Sequence, residues 1–167
     1  MEDIELFEKK LILNKISNAF YELFIRCNYT EADMSLKCNI PYNTLKSYLN
    51  RKKTLSISNL VKVLNTFELS YDEFVNCTYD IEVKKSHFKL INYSMNSIYE
   101  KIRRIIKKQN IDELTFATTI NVSYSTLYRY THENRTKPRI YVILSIMRQY
   151  HYTFEEIVDS NVWIDNN

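Results

Sequence analysis

The 167-residue chain contains no glycine and only two prolines. Glycine supplies positive φ and close backbone approach at no steric cost, so its absence removes whole classes of local structure. Phosphate-cradling loops of the P-loop and dinucleotide types need glycine at fixed offsets and cannot be built here. Tight hairpins and glycine-bearing βα turns are disfavoured with them. What remains is a helical chain with short polar connections. With 45% hydrophobic and 14% aromatic residues, including 14 Tyr and 8 Phe, it can bury a core and is no disordered segment. The expectation is an all-α protein without a sheet.

Charge alone identifies no partner: 23 basic against 20 acidic residues give a net +3. Cys27, Cys38 and Cys77 are odd in number and lack metal-ligand or CxxC spacing, which suits small buried thiols in a reducing cytoplasm. His87, His132 and His151 are scattered without partner ligands, so neither metal, cofactor nor catalytic role is expected. The start MEDIELFEKK is acidic and amphipathic where a secretory signal is basic and then apolar, and no stretch approaches 18 apolar residues. A soluble, cytoplasmic protein away from membranes is expected.

The chain repeats itself. At an offset of 82, Asn39, Tyr42, Thr44, Leu45 and Tyr48 recur as Asn121, Tyr124, Thr126, Leu127 and Tyr130. One inserted residue then shifts the offset to 83, and Ile57, Phe67, Leu69, Tyr71, Phe74 and Val75 answer to Ile140, Tyr150, Tyr152, Phe154, Ile157 and Val158. Upstream, Ile16, Phe20, Leu23 and Phe24 match Ile98, Ile102, Ile105 and Ile106.

Within each unit the apolar residues fall at helical spacing: Ile16, Phe20, Leu23, Phe24 and Cys27 make one stripe, and Leu60, Val61, Val63, Leu64 and Phe67 another. Thr30 with Asp33, Ser70 with Glu73, and Thr153 with Glu156 have capping-box spacing. These signals predict helices near 12–27, 31–37, 42–50, 57–67 and 71–77, and again near 95–109, 113–119, 124–132, 140–150 and 154–159. The predicted organisation is a first domain over 1–79, a connecting segment over 80–94 and a second domain over 95–167. The mixture of Lys with Phe88, Leu90 and Ile91 predicts that the connector is helical and extends the first helix of unit two. Residues 1–10, with Ile4, Leu6 and Phe7 on one face, read as a further short helix that packs on a unit or pairs with another chain.

At the centre of each unit stand two short helices joined by a tight turn, TEADMSLKCNIPYNTLKSYLN (30–50) and DELTFATTINVSYSTLYRYTH (112–132). This is helix-turn-helix spacing. Met34, Cys38, Ile40 and Leu45, with Phe116, Ile120, Val122 and Leu127, take the inward positions, and small Ser35 and Ala117 lie where the helices come closest. Thr30, Met34, Ser35, Ile40, Thr44 and Leu45, and then Leu114, Phe116, Ala117, Val122, Ser123, Ser125, Thr126 and Leu127, resemble the pattern of the lambda-repressor-like (Xre/Cro) helix-turn-helix family. The segments LSYDEF (69–74) and YTFEEI (152–157) are similar to that family's fifth helix. The resemblance covers nearly the whole chain twice and implies two tandem five-helix domains.

It also implies that the second helix of each motif enters the major groove of double-stranded DNA. The base-facing candidates are Tyr42, Asn43, Lys46 and Ser47 in unit one and Tyr124, Ser125, Tyr128 and Arg129 in unit two. Asn43 suits adenine and Arg129 guanine. Phosphate contacts fall to Thr44, Arg51, Lys52 and Lys53, and to Thr126, Arg135, Lys137 and Arg139. Residues 34–67 carry six cations and no acid, and Lys101, Arg103, Arg104, Lys107 and Lys108 add charge to the first helix of unit two. Residues 1–83 hold 10 basic against 12 acidic side chains and residues 84–167 hold 13 against 8, so unit two is expected to bind DNA more strongly. A repressor-type regulator is implied, acting as a pseudo-dimer on unlike half-sites about 34 Å apart. Homodimerisation would restore a palindrome of composite half-sites.

Other features suit a different class. Glu31 and Glu113 occupy the helix start where the family's glutamine faces a phosphate, which favours the helix dipole but repels a backbone. Asn50 and Asn134 stand in for the glycine usual after the recognition helix. Tyr42, Tyr124 and Tyr128 are common at protein interfaces, and the run Arg51, Lys52 and Lys53 reads equally as a solvated loop. A helix-turn-helix scaffold reused as a protein-binding inhibitor or adaptor is the competing reading, and an enzyme is not expected.

Overall fold

The computed structural model describes residues 2–83 and 85–164, with side chains from residue 9 onward. Among the described residues the protein is all-helical, without a strand; the backbone forms one isolated bridge, Tyr93 with Asp159. The chain divides into two compact units, Met1–Leu90 and Ile91–Asn167.

Unit one contains α1 (Glu2–Cys27), α2 (Glu31–Cys38), α3 (Tyr42–Leu49), α4 (Ile57–Phe67) and α5 (Tyr71–Asn76). Unit two contains α6 (Met95–Gln109), α7 (Glu113–Thr119), α8 (Tyr124–Tyr128), a π-helical turn over Arg129–Glu133, α9 (Ile140–Tyr150) and α10 (Phe154–Val158). All three expected capping boxes form: Thr30, Ser70 and Thr153 each accept from the amide three residues on while the acid there reaches back. Ser56, Ser94, Asp112 and Ser123 cap four further helices.

Each unit closes around its own core. In unit one, Ile16, Phe20, Leu23, Met34, Leu45, Leu60, Leu64 and Phe74 are buried; in unit two, Ile98, Ile102, Ile105, Phe116, Leu127, Ile143, Ile146, Phe154 and Ile157 are. Each such side chain contributes about 1.5–3 kcal/mol relative to exposure. Phe24, Cys27 and Phe67 are only half-buried, at the margins of the stripes that predicted them, and so is Val122, expected at an inward position of the second motif. The three cysteines are free thiols. Burial pushes the Cys27 and Cys38 thiols up to about 11, so both are held in the unreactive protonated form.

Without glycine, the left-handed positions that end helices fall to other residues. Asn28, Asn39, Arg51, Glu68, Cys77, Asn110, Asn121, Asn134 and His151 all have positive φ. Five are Asn, the non-glycine residue that tolerates this region best. Four pairs recur in register: Asn28 with Asn110 and Asn39 with Asn121 at offset 82, then Arg51 with Asn134 and Glu68 with His151 at offset 83. The backbone thus repeats where the sequence does. The expected left-handed role of Asn134 holds, whereas in unit one it passes from Asn50, with φ −80°, to Arg51, with φ 57°.

Three expectations are corrected. The connector 80–94 is not helical in any described residue. Its end is tied down elsewhere: the Asn92 N–H donates to the Asp159 carboxylate at 3.2 Å, the Ser160 N–H donates to the Asn92 carbonyl at 2.8 Å, and Ser94 caps α6 so that the helix starts after it. Second, α1 runs unbroken from Glu2, in place of two helices; no proline or glycine interrupts it. Among its described side chains the buried ones begin at Ile16, and Leu11 is 61% exposed. The face expected of Ile4, Leu6 and Phe7 lies outside the described side chains. Third, the helix expected over 124–132 is α-helical only to Tyr128 and continues as the π-turn. No helix among the described residues is long and apolar enough to cross a membrane.

Candidate nucleic-acid interface

In both units the two short central helices join through the same turn. The Ile40 N–H donates to the Ser35 carbonyl at 3.0 Å and the Val122 N–H to the Ala117 carbonyl at 2.9 Å, each around a left-handed Asn, 39 or 121. Ser35 Oγ also donates to the Ile40 carbonyl at 2.6 Å. Met34, Cys38, Ile40 and Leu45 are buried beneath this turn, as are Phe116, Ala117, Ile120 and Leu127. The opposite faces of α3 and α8 are left to solvent.

On α3, Tyr42, Asn43 and Lys46 are exposed. They are not free of acid. Tyr42 Oη donates to Glu31 Oε2 at 2.7 Å, Lys46 Nζ stands 4.0 Å from the same oxygen, and Lys46 lies 5.6 Å from the centre of the Tyr42 ring. A carboxylate from the first turn of α2 therefore sits beside the outward residues of α3. Ser47 is half-buried and gives its hydroxyl to the Asn43 carbonyl at 2.8 Å, so it turns to its own helix; Thr44 is half-buried as well. Arg51 lies over the Tyr21 ring at 5.9 Å, while Lys52 and Lys53 are exposed. Lys62 is engaged, its Nζ donating to the Asn39 carbonyl at 2.8 Å.

On α8 Tyr124, Ser125 and Tyr128 are exposed, and so is Arg129, the first residue of the π-turn. The Ser125 hydroxyl lies 3.1 Å from Ser123 Oγ, and half-buried Thr126 has its hydroxyl 2.8 Å from the same atom, so both serve the cap as well. Tyr128 stacks on His132 with ring centres 4.3 Å apart and planes 11° from parallel; His132 Nδ1 lies 2.8 Å from Thr131 Oγ1 and 3.7 Å from Glu113 Oε2. Glu113 thus faces His132, where its counterpart Glu31 faces Tyr42 and Lys46. Asp112, Glu113, Leu114 and Tyr124 line an open groove beside α8. Arg129 has no ion-pair partner among the described residues, and the loop that follows exposes Arg135, Lys137 and Arg139.

The cations of α6 divide sharply. Lys101 is buried and its Nζ donates to the Asp159 carbonyl; burial, opposed by the charges of Asp159 and Glu156, pushes it down to about 8. Arg103 donates to the Thr131 carbonyl and to Asn134 Oδ1, both at 3.0 Å, holding the end of the π-turn. Arg104 pairs with Glu100 at 2.5 Å and covers the Trp163 ring. Only Lys107 and Lys108 of this set stand exposed. The sequence signal that could have separated them is the helical wheel: Lys101 falls between Ile98, Ile102 and Ile105 on the apolar side.

Compared with known proteins, the chain matches no family model, no curated protein and no solved structure.

Proposed function

We infer that the protein is a sequence-specific, double-stranded-DNA-binding transcriptional regulator of the repressor kind, built from two tandem lambda-repressor-like helix-turn-helix units, with unit two the stronger reader. The observation that carries this reading is Arg129, exposed on the outward side at the end of α8, without an ion-pair partner among the described residues, and followed by exposed Arg135, Lys137 and Arg139. An arginine so placed offers a bidentate donor pair to guanine, and the cations behind it suit the phosphate backbone. The matched turns around Asn39 and Asn121 support the tandem arrangement. On α3, Asn43 remains exposed for adenine, but the neighbouring Glu31 carboxylate opposes the phosphates.

The test is fluorescence anisotropy on the DNA flanking the protein's own gene and on a scrambled duplex, at several salt concentrations. Selective binding that weakens steeply with salt is expected. Weak binding, equal on both duplexes, would contradict it.

The bond between Tyr42 and Glu31 favours a second reading for unit one, a protein-docking face. Under that reading, binding tracks a protein partner and ignores DNA.

A further inference from the structure

Tyr124 and Tyr128 are 45% and 41% exposed on the outward side of α8. Their ring centres are 6.1 Å apart, and Tyr128 continues the series onto His132, which Thr131 and Glu113 hold in place. The result is an aromatic ladder at positions i, i+4 and i+8, anchored at one end. The corresponding residues of unit one at offset 82 are Tyr42, Lys46 and Asn50, so the ladder belongs to unit two alone. Neither tyrosine hydroxyl has a protein partner among the described residues, which leaves the rings and their polar tips turned outward together.

The surroundings indicate what covers these rings. Arg129, Arg135, Lys137 and Arg139 are exposed in the stretch that runs from the end of α8, outnumbering the exposed Glu133 of that stretch and Asp112 beside Tyr124, while Glu113 lies 3.7 Å from His132 Nδ1. A polyanion complements that charge. In the major groove the apolar group a base pair presents is the thymine 5-methyl. Two rings 6.1 Å apart cover roughly two base-pair steps of about 3.4 Å each, with the hydroxyls available to phosphate oxygens.

We propose that Tyr124 and Tyr128 pack their rings on thymine methyl groups, making the sequence read by unit two thymine-rich beside the guanine taken by Arg129. This rests on the DNA-binding reading above and adds the chemistry of the bases selected.

The test separates the two. The full chain is first used to enrich a random-sequence duplex pool. The enriched duplex is then synthesised with thymine, or with deoxyuridine in its place, which removes the methyl and keeps every hydrogen-bonding group. Loss of about fourfold in affinity per contacted methyl is expected on the uracil duplex, from the transfer value of one buried carbon. Tyr124→Phe and Tyr128→Phe keep the discrimination, whereas Tyr124→Ala and Tyr128→Ala bind both duplexes more nearly alike. Equal binding of the thymine and uracil duplexes by the unaltered protein, or full discrimination in both alanine variants, overturns the proposal. If no sequence is enriched, the DNA-binding reading itself fails and takes this one with it.

Discussion

The backbone N–H of Asn134 donates to the carbonyl of Arg129 at 3.1 Å, five residues back, and closes a π-turn at the end of α8. In unit one the left-handed residue at the same place, Arg51, donates to the Tyr48 carbonyl at 3.0 Å instead. Buried Tyr48 and Tyr130 are still 82 apart, while Arg51 and Asn134 are 83 apart. The residue inserted in the second repeat is therefore absorbed in the π-turn, which widens one turn without disturbing the helices on either side. The two units also exchange the charge at this joint: Arg51 covers Tyr21, whereas Arg103, at the position of Tyr21, reaches back to Asn134.

Left-handed backbone at residues with a Cβ carries a cost that glycine avoids. His151 is exposed and ends α9 at φ 58°, ψ 32°. His151→Gly is expected to stabilise unit two by about 1 kcal/mol, raising its melting temperature by about 4–8 °C. His151→Ala, which keeps the Cβ, gives no such gain. Equal melting temperatures for the two variants would contradict the assignment.

Lys101 sets a pH dependence. Its folded form releases a proton near pH 8 and the unfolded side chain near 10.5. Between these values the unfolded chain binds more protons, so stability rises with pH across that window; below it the side chain is charged in both states, its burial cost is fully present and stability no longer varies with pH through this group. The gain is on the order of 2–3 kcal/mol. Thermal melts of wild type and Lys101→Met at pH 8 and 10 check it: the wild type gains relative to the variant. Parallel pH profiles would count against it.

The hydroxyl of Tyr79 is buried without a hydrogen-bond partner among the described residues, and burial pushes it up to about 12. Removing an unsatisfied buried hydroxyl relieves a desolvation cost. Tyr79→Phe should leave unit one as stable or up to about 1 kcal/mol more stable in urea unfolding. A clear loss would mean that the hydroxyl is satisfied in solution.

Glu31 bears on whether unit one contributes to DNA binding. Glu31→Gln keeps a partner for Tyr42 and frees Lys46 from the carboxylate. Duplex affinity is expected to rise several-fold, with the salt dependence steeper by about 0.9 in the log–log slope, as for one added phosphate contact. No change in either quantity would assign α3 to another kind of partner.

The helix series was legible because three independent signals agreed: the apolar stripes, the hydroxyl–acid caps such as Thr153 with Glu156, and the recurrence of both at offsets of 82 and then 83. α4, α6, α7 and α9 begin and end where those signals place them. The connector was misread because Ile91 has the apolar character of a helix face, while what fixes its conformation is Asp159, a partner 67 residues away from Asn92. The outward faces of α3 and α8 were legible from periodicity. Side-chain commitments were not: Ser47 bonding its own backbone, Glu31 beside Lys46 and Arg103 spent on Asn134 depend on rotamers and on distant partners.

The central claim is that unit two reads DNA through Arg129. Equilibrium binding of the enriched duplex by wild type, Arg129→Ala and Asn43→Ala, at one fixed salt concentration, tests it most directly. Arg129→Ala is expected to lose about tenfold or more in affinity, the value of a bidentate guanine contact, with a smaller loss for Asn43→Ala. Binding by Arg129→Ala equal to that of the unaltered protein would contradict the account.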